Sequence, residues 1–162
     1  MAPRILIVDD ENDFIELVKF RLANLGCEFL VAGDGVHALS QARQFKPDLI
    51  LLDILLPDLD GLSVCEILKR QPNTKKIPVI FMSALSSDVT RRTAAMNSAD
   101  FFTKPLDLNR LEKRIAELLH KGLGFIGALH VEGEDEAFSG RNGFGRNGRG
   151  HGLVRGLFKR MG

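Results

Sequence analysis

Four residues able to take part in acid–base or phosphoryl chemistry stand directly after short apolar runs of this chain. Asp9 and Asp10 follow the first run, Asp53 the third and Lys104 the fifth. Two carboxylates about 4 Å apart repel each other by about 4 kcal/mol at an effective dielectric constant of about 20, so a group of three needs a cation beside it. A divalent ion such as Mg²⁺, which prefers oxygen ligands, would supply that charge and could bring a phosphoryl group to a carboxylate nucleophile.

The position of Asp53 is unusual for an acid. It ends the apolar run from Leu49 to Leu52, and an ionised group beside a core loses hydration. An ordinary acid at the end of a strand is one interpretation, and Asp9 and Asp10 could likewise do no more than cap the following helix. The placement of Lys104 and of both other aspartates after separate runs favours a functional site.

The apolar runs alternate with segments of helical periodicity through the first 121 residues. The runs predict five strands, at Arg4–Val8, Phe29–Val31, Leu49–Leu52, Pro78–Met82 and Phe101–Thr103. The intervening periodicity predicts a first helix with an apolar face of Phe14, Leu17, Val18, Leu22 and Leu25, and helices over 36–45, 62–70 and 87–96. A last helix is striped by Leu108, Leu111, Ile115, Leu118 and Leu119.

Five strand–helix units in succession predict an α/β fold, a doubly wound five-stranded parallel sheet with helices on both faces. Its crossovers are expected to be right-handed. Functional residues of such sheets collect at the carboxyl ends of the strands, which adds Ser83, after the fourth run, to the candidate site.

Composition and charge indicate a globular protein in water. Of 162 residues, 44% are apolar and 27% charged, and the formal net charge is +1, so nothing overall indicates nucleic acid or a membrane as partner. No apolar run approaches the ~20 residues of a membrane span, and the start MAPRILIVDD is too short for a signal peptide. Cys27 and Cys65 make neither a disulfide framework nor a metal motif. We therefore expect reduced thiols and a cytoplasmic location.

The composition changes sharply near Lys121 and Gly122. Twelve of the sixteen glycines lie in the last 41 residues, and residues 141–162 carry six Lys or Arg and no acid. A flexible C-terminal tail over residues 122–162 is the simplest interpretation. Arg-Gly segments with interspersed Phe also resemble tracts that bind single-stranded nucleic acid, so an effector that acts through this basic tail is the alternative.

Four stretches together resemble the receiver domain of two-component response regulators, the CheY-like superfamily, over residues 4–120. They are VDDE at 8–11, DILLPDLDG at 53–61, SAL at 83–85 and DFFTKP at 100–105. The resemblance implies the strand order 2-1-3-4-5 and a receiver domain over residues 1–121. It also implies a signalling switch that assists its own phosphorylation and dephosphorylation, rather than an enzyme.

The same resemblance implies a role for each matching residue. Asp53 would accept a phosphoryl group from a histidine kinase or phosphotransfer protein, with Mg²⁺ as cofactor. Asp10 would ligate the metal directly, Asp9 mainly through water, and Leu55 through its backbone carbonyl. Lys104 would pair with Asp53 and later with a phosphoryl oxygen.

The resemblance also implies how phosphorylation is read out. Ser83 would donate its hydroxyl to a phosphoryl oxygen, Phe101 matches the aromatic switch position, and a cis peptide bond before Pro105 would aim the lysine. The surface of the helix over 87–96, the fifth strand and the last helix would then change shape. That surface would serve an unknown downstream protein target or a homodimer.

Asp58 and Asp60 lie in the turn after Asp53. They are expected to be turn formers rather than metal ligands, with Gly61 relieving the backbone. A phosphatase of the haloacid dehalogenase type also uses an aspartyl nucleophile, but it carries a second acid two residues later, where this chain has Leu55.

Overall fold

The computed structural model describes residues 1–84, 93, 96 and 98–120, together with the backbone of residues 121 and 122. Most of the helix predicted over 87–96 lies outside the described residues, as does the tail from residue 123 onward. The domain boundary near Lys121, the flexible tail and the alternative of nucleic-acid binding through it therefore stay predictions.

Five parallel strands form one sheet in the order β2-β1-β3-β4-β5, which confirms the predicted α/β fold and strand order. The strands are β1 (Arg4–Val8), β2 (Glu28–Ala32), β3 (Leu49–Asp53), β4 (Val79–Ser83) and β5 (Asp100–Thr103). The described helices are α1 (Asn12–Leu22), α2 (Gly35–Phe45), α3 (Gly61–Arg70) and α4 (Leu108–Gly122). No helix within the described part of the chain is long and apolar enough to span a membrane.

Strand β3 lies at the centre of the sheet, between β1 and β4, and all five of its residues are buried. Its side chains alternate between the two faces, as strand geometry requires. Ile50 and Leu52 pack in a core with α2 and α3, and Leu49 and Leu51 pack in a second core with α1 and α4. Coverage on both faces explains why the run is continuously apolar up to Asp53.

The predicted apolar face of α1 was wrong at Leu17 and Leu25. The helix ends at Leu22, and Leu25 lies in a short 3₁₀ turn, Ala23–Leu25, that follows it. Leu17 is 50% exposed, and Ile15, Val18 and Leu22 are the buried residues of this helix. The three buried residues follow the spacing i, i+3, i+7, which points one face at the sheet. Leu17 is one residue away from that face, so its side chain turns outward.

Asp60 begins α3 as its N-cap. Its carboxylate accepts hydrogen bonds from the backbone N–H of Leu62 (3.0 Å) and Ser63 (3.1 Å), and the Ser63 hydroxyl donates to it as well (2.6 Å). These contacts satisfy two N–H groups that have no partner within the helix.

We expect Asp60→Ala to lower the free energy of unfolding by about 1 kcal/mol, because the cap hydrogen bonds are lost. Urea denaturation followed by circular dichroism measures this change. Asp13→Ala, at an exposed acid in the first turn of α1, is the control and should shift stability by less than about 0.5 kcal/mol. Equal losses in the two variants would contradict the capping role.

Candidate functional site

Parallel strands bring the ends of β1, β3, β4 and β5 to one edge of the sheet. Asp9 follows β1 and is fully buried, and Asp53 is the last residue of β3 and is 5% exposed. Ser83 ends β4 and is fully buried, and Lys104 follows β5. Residues predicted from separate stretches of sequence therefore lie at one edge.

Asp9, Asp10 and Asp53 form an acidic cluster. Each offers one carboxylate oxygen, and these three oxygens lie within 4.8 Å of one another. Asp9 and Asp53 are buried, whereas Asp10 is exposed. The cluster is thus open to solvent on the Asp10 side and closed on the side of the sheet.

Lys104 places its ammonium group between the two buried carboxylates. Its Nζ lies 2.7 Å from Asp9 Oδ2 and 2.9 Å from Asp53 Oδ2. The Lys104 backbone N–H donates to the Ser83 carbonyl (2.8 Å), and the peptide bond between Lys104 and Pro105 is cis. The family resemblance implied a pairing of this lysine with Asp53, and the structure adds a contact of similar length with Asp9.

The remaining oxygen of each buried carboxylate is held by a backbone N–H. Asp53 Oδ1 accepts from the N–H of Leu55 (3.0 Å), and Asp9 Oδ1 accepts from the N–H of Glu11 (2.9 Å). Both carboxylates therefore have a fixed orientation, with one oxygen on backbone and the other on Lys104. The Asp9 contact lies at the start of α1, but the N-cap residue of that helix is Glu11, whose side chain makes no capping bond.

Burial and charge act against each other in this cluster. Burial raises the pKa of Asp9 above its ordinary value, and the hydrogen bond from Lys104 opposes that rise only in part. Burial alone would lower the pKa of Lys104, but hydrogen bonds to Asp9 and Asp53 outweigh it and raise that pKa. Lys104 therefore stays charged, and one ammonium group faces three carboxylates.

This donor set fits a divalent cation. The cluster offers carboxylate oxygens, the ligand type that Mg²⁺ prefers, and the exposed Asp10 leaves a path from solvent. One lysine cannot neutralise Asp9, Asp10 and Asp53, so an added positive charge would relieve the remaining repulsion. Leu55, the predicted carbonyl ligand, lies two residues beyond Asp53, and its residue surface is 52% exposed.

Phe101 and Phe102 point to opposite faces of β5. Phe102 is 2% exposed and packs with α1 and α4, whereas Phe101 is partly buried against the core on the other face. The alternation of side chains along a strand accounts for this arrangement, because successive residues point to opposite faces of the sheet. Phe101 therefore has access to solvent at the strand next to Ser83.

Two further side chains contact Lys104. Glu11 Oε1 lies 3.4 Å from Nζ, and the Phe14 ring centre lies 4.1 Å from it, within the range of a cation–π contact. Glu11 belongs to the VDDE stretch and could have been noticed there. The contact between Phe14 and Lys104 could not be found from the local sequence, because four strands separate the two residues along the chain.

Gly61 has a role that the sequence did not reveal. A Cβ built at this position would lie 2.1 Å from the backbone carbonyl oxygen of Asp53 and 2.8 Å from the Cα of Ile54. Its φ angle is not positive, so the predicted relief of the backbone at Gly61 does not come from a left-handed turn conformation. The glycine is required because α3 begins directly against the residue that ends β3.

Comparison with known proteins covers the same part of the chain. The family model described as the response regulator receiver domain matches residues 5–116. The DNA-binding dual master transcriptional regulator RpaA of Synechocystis sp. is 38% identical over 120 residues, which is 74% of this chain and 50% of that protein. Response regulator PleD of Caulobacter vibrioides is 40% identical over 119 residues, 73% of this chain and 26% of PleD. The chain thus spans between a quarter and a half of the length of these curated relatives.

A solved structure shows the same fold. The signal receiver domain of a signal transduction histidine kinase from Syntrophus aciditrophicus matches with a TM-score of 0.70 and 32% sequence identity. The match covers 81% of this chain and 99% of that chain.

Proposed function

Because this chain belongs to the response regulator receiver domain family, we propose that Asp53 is the residue that becomes phosphorylated. The chain carries a phosphorylation-activated receiver of two-component signalling. Receiver domains are signalling switches rather than enzymes in the usual sense.

The proposed reaction is transfer of a phosphoryl group to the Asp53 carboxylate. An Asp53 oxygen attacks the phosphorus of a phosphohistidine or a small acyl phosphate, and an O–P bond forms while the bond to the leaving nitrogen or oxygen breaks. The leaving group keeps the bonding electrons. Lys104, 2.9 Å from Asp53 Oδ2, orients the nucleophile before transfer and stabilises phosphoryl oxygen charge afterwards.

Asp10, Asp53 and the carbonyl of Leu55 would hold Mg²⁺ directly, and Asp9 would hold it mainly through water. When bound, the ion offsets negative charge on the carboxylates and on the phosphoryl oxygens. The N–H of Leu55 and the ammonium of Lys104 keep both Asp53 oxygens in place before the ion arrives. In this way the domain contributes to its own phosphorylation, and we propose the same groups for dephosphorylation.

The output is proposed to depend on Ser83 and Phe101. The added phosphoryl group brings about −1.5 to −2 charges and new acceptor oxygens next to β4. The Ser83 hydroxyl would donate to one of these oxygens and draw the loop after β4 toward the site. Phe101 would then change its exposure to solvent. The domain would thereby shift between two populated states rather than refold.

The partners follow from the family at a coarse level. Receivers obtain phosphate from histidine kinases or phosphotransfer proteins and act on downstream targets. For this chain we propose a kinase or phosphotransfer protein as donor and a protein target, or a second copy, at the surface that includes β5 and α4. The name of RpaA describes DNA binding, but that protein is about twice as long as the segment it shares with this chain.

The observation that carries the proposal is the placement of Asp53, buried at the end of β3 within 4.8 Å of two other carboxylates and in contact with Lys104. The full chain should be incubated with Mg²⁺ and acetyl phosphate. The aspartyl phosphate formed on the protein is then reduced with borohydride, and the reduced residue is located by peptide mass spectrometry. The label is expected on Asp53 and should be lost when EDTA is present. A label on another residue, with position 53 unmodified, would overturn the proposal.

A further inference from the structure

Asp58 connects the loop after β3 to the start of a helix that is distant in sequence. Its Oδ1 accepts a hydrogen bond from the backbone N–H of Gly35 (2.7 Å), and its Oδ2 accepts from the N–H of Val36 (3.0 Å). Gly35 and Val36 are the first two residues of α2. The predicted turn former is therefore also a bidentate clamp on α2.

The start of α2 suits a carboxylate for two reasons. The first N–H groups of a helix have no partner within the helix, and the helix dipole favours negative charge there. Backbone hydrogen bonds, of which the largest contribution comes from Gly35, lower the pKa of Asp58 to about 2. Asp58 is therefore ionised at neutral pH, when both contacts are at their strongest.

The loop from residue 54 to 60 is fastened to two helices. Asp58 ties it to α2, and Asp60, two residues later, caps α3. Packing reinforces the first attachment, since a Cβ on Gly35 would lie 2.7 Å from the carbonyl oxygen of Leu59. A displacement of the loop would have to break the contacts with α2.

This loop carries the groups that complete the phosphorylation site. The N–H of Leu55 donates to Asp53 Oδ1, and the carbonyl of the same residue is the proposed metal ligand. Leu55 itself is half exposed, so burial of its side chain supplies little restraint. The attachment through Asp58, three residues further along, restrains the loop together with the buried Ile54 and the packing of Leu56 and Leu59 against the core.

We propose that Asp58 is a positioning residue that holds the loop after β3 against α2, so that Leu55 and Asp53 together are preorganised to bind the cation. This inference rests on the proposed function, because it assigns a task in metal binding and phosphoryl transfer. It differs from simple capping of α2. A cap stabilises the helix alone, whereas a positioning residue changes the affinity of the site for Mg²⁺.

Asp34 provides a matched control for that difference. It is the N-cap of the same helix and accepts a hydrogen bond from the N–H of His37 (2.8 Å). Asp34→Ala weakens α2 without releasing the loop, whereas Asp58→Ala weakens α2 and also releases the loop. The comparison therefore separates helix stability from loop position.

The experiment measures Mg²⁺ binding to the full chain by titration calorimetry, for the wild type and the variants Asp58→Ala, Asp58→Asn and Asp34→Ala. Asp58→Ala is expected to bind Mg²⁺ roughly three- to tenfold more weakly than the wild type, because it loses two charge-assisted hydrogen bonds that preorganise the loop. Asp58→Asn should be intermediate, because asparagine keeps one acceptor oxygen. The Mg²⁺ affinity of Asp34→Ala should stay within about twofold of the wild-type affinity, because this cap does not contact the loop.

A second measurement needs no metal. Hydrogen exchange of the Leu55, Leu56 and Leu59 amides in Mg²⁺-free buffer should be faster in Asp58→Ala than in Asp34→Ala, because only the first variant frees the loop. If Asp58→Ala does not fold, Val36→Pro removes one donor N–H within the first turn of α2, where proline is accepted. This variant should also weaken Mg²⁺ binding and speed exchange in the loop.

Equal Mg²⁺ affinities and equal loop exchange in Asp58→Ala and Asp34→Ala would overturn the inference and leave Asp58 as a helix cap. Failure of the proposed function has a different signature. In that case the wild-type chain itself would show no phosphorylation of Asp53, whatever residue occupied position 58.

Discussion

Asp53→Asn is expected to abolish phosphorylation of the full chain by acetyl phosphate in the presence of Mg²⁺. An amide oxygen is a poor nucleophile, and loss of the attacking group should lower the rate by at least about 1,000-fold. Asparagine has the same shape as aspartate and keeps an oxygen for the N–H of Leu55, so the fold should persist. Incorporation is measured by intact-protein mass spectrometry, and the fold is checked by circular dichroism.

The control for this variant is Asp13→Asn. Asp13 is an exposed acid in the first turn of α1, so its replacement removes the same charge without changing the acidic cluster. Its phosphorylation rate should stay close to that of the wild type. Phosphorylation of Asp53→Asn at a similar rate to Asp13→Asn would show that another residue is the acceptor.

Gly61→Ala is expected to have the largest effect on stability. The added Cβ would lie 2.1 Å from the Asp53 carbonyl oxygen, a separation that non-bonded atoms do not adopt, so backbone must move. Such overpacking typically costs about 1–3 kcal/mol, and a contact this short with the backbone places Gly61→Ala at the upper end of that range. Alanine is favoured over glycine in a helix by only about 1 kcal/mol, so the steric effect decides the sign. Urea denaturation should show the lower free energy of unfolding.

The displacement caused by Gly61→Ala reaches the site itself, because the atom that is struck belongs to Asp53. Phosphorylation by acetyl phosphate should therefore be slower even under conditions in which the variant is fully folded. Gly33→Ala is the control, since no atom beyond the adjacent residues lies within 4 Å of a Cβ at that exposed position. It should be neutral or slightly stabilising, by up to about 1 kcal/mol. Equal stability of the two variants would mean that a side chain at position 61 is accommodated without a steric cost, which would contradict this prediction.

The pattern of residues along the chain was sufficient for the class of fold and for the grouping of residues at the site, whereas the strand order followed from the family resemblance. Runs of apolar residues as continuous as Leu49 to Leu52 are stable only where a strand is covered on both faces, and their alternation with helices leaves a parallel sheet as the arrangement. In a parallel sheet all strands end at the same edge, so residues that follow different strands must meet there. Asp9, Asp53 and Lys104 could be grouped on that basis alone.

The pairing of those residues, and the contacts that hold them, emerge only from the folded domain. The partnership of Lys104 with Asp9 as well as Asp53, its contact with Phe14, and the clamp of Asp58 on α2 all join segments that lie far apart in the chain. Gly61 is required by the proximity of α3 to Asp53, which no local preference for turns reveals. Periodicity determines which elements form, because it depends on neighbours along the chain. Contacts between side chains and the backbone of other elements depend on the distances and angles at which those elements pack, and these are set only when the whole domain is assembled.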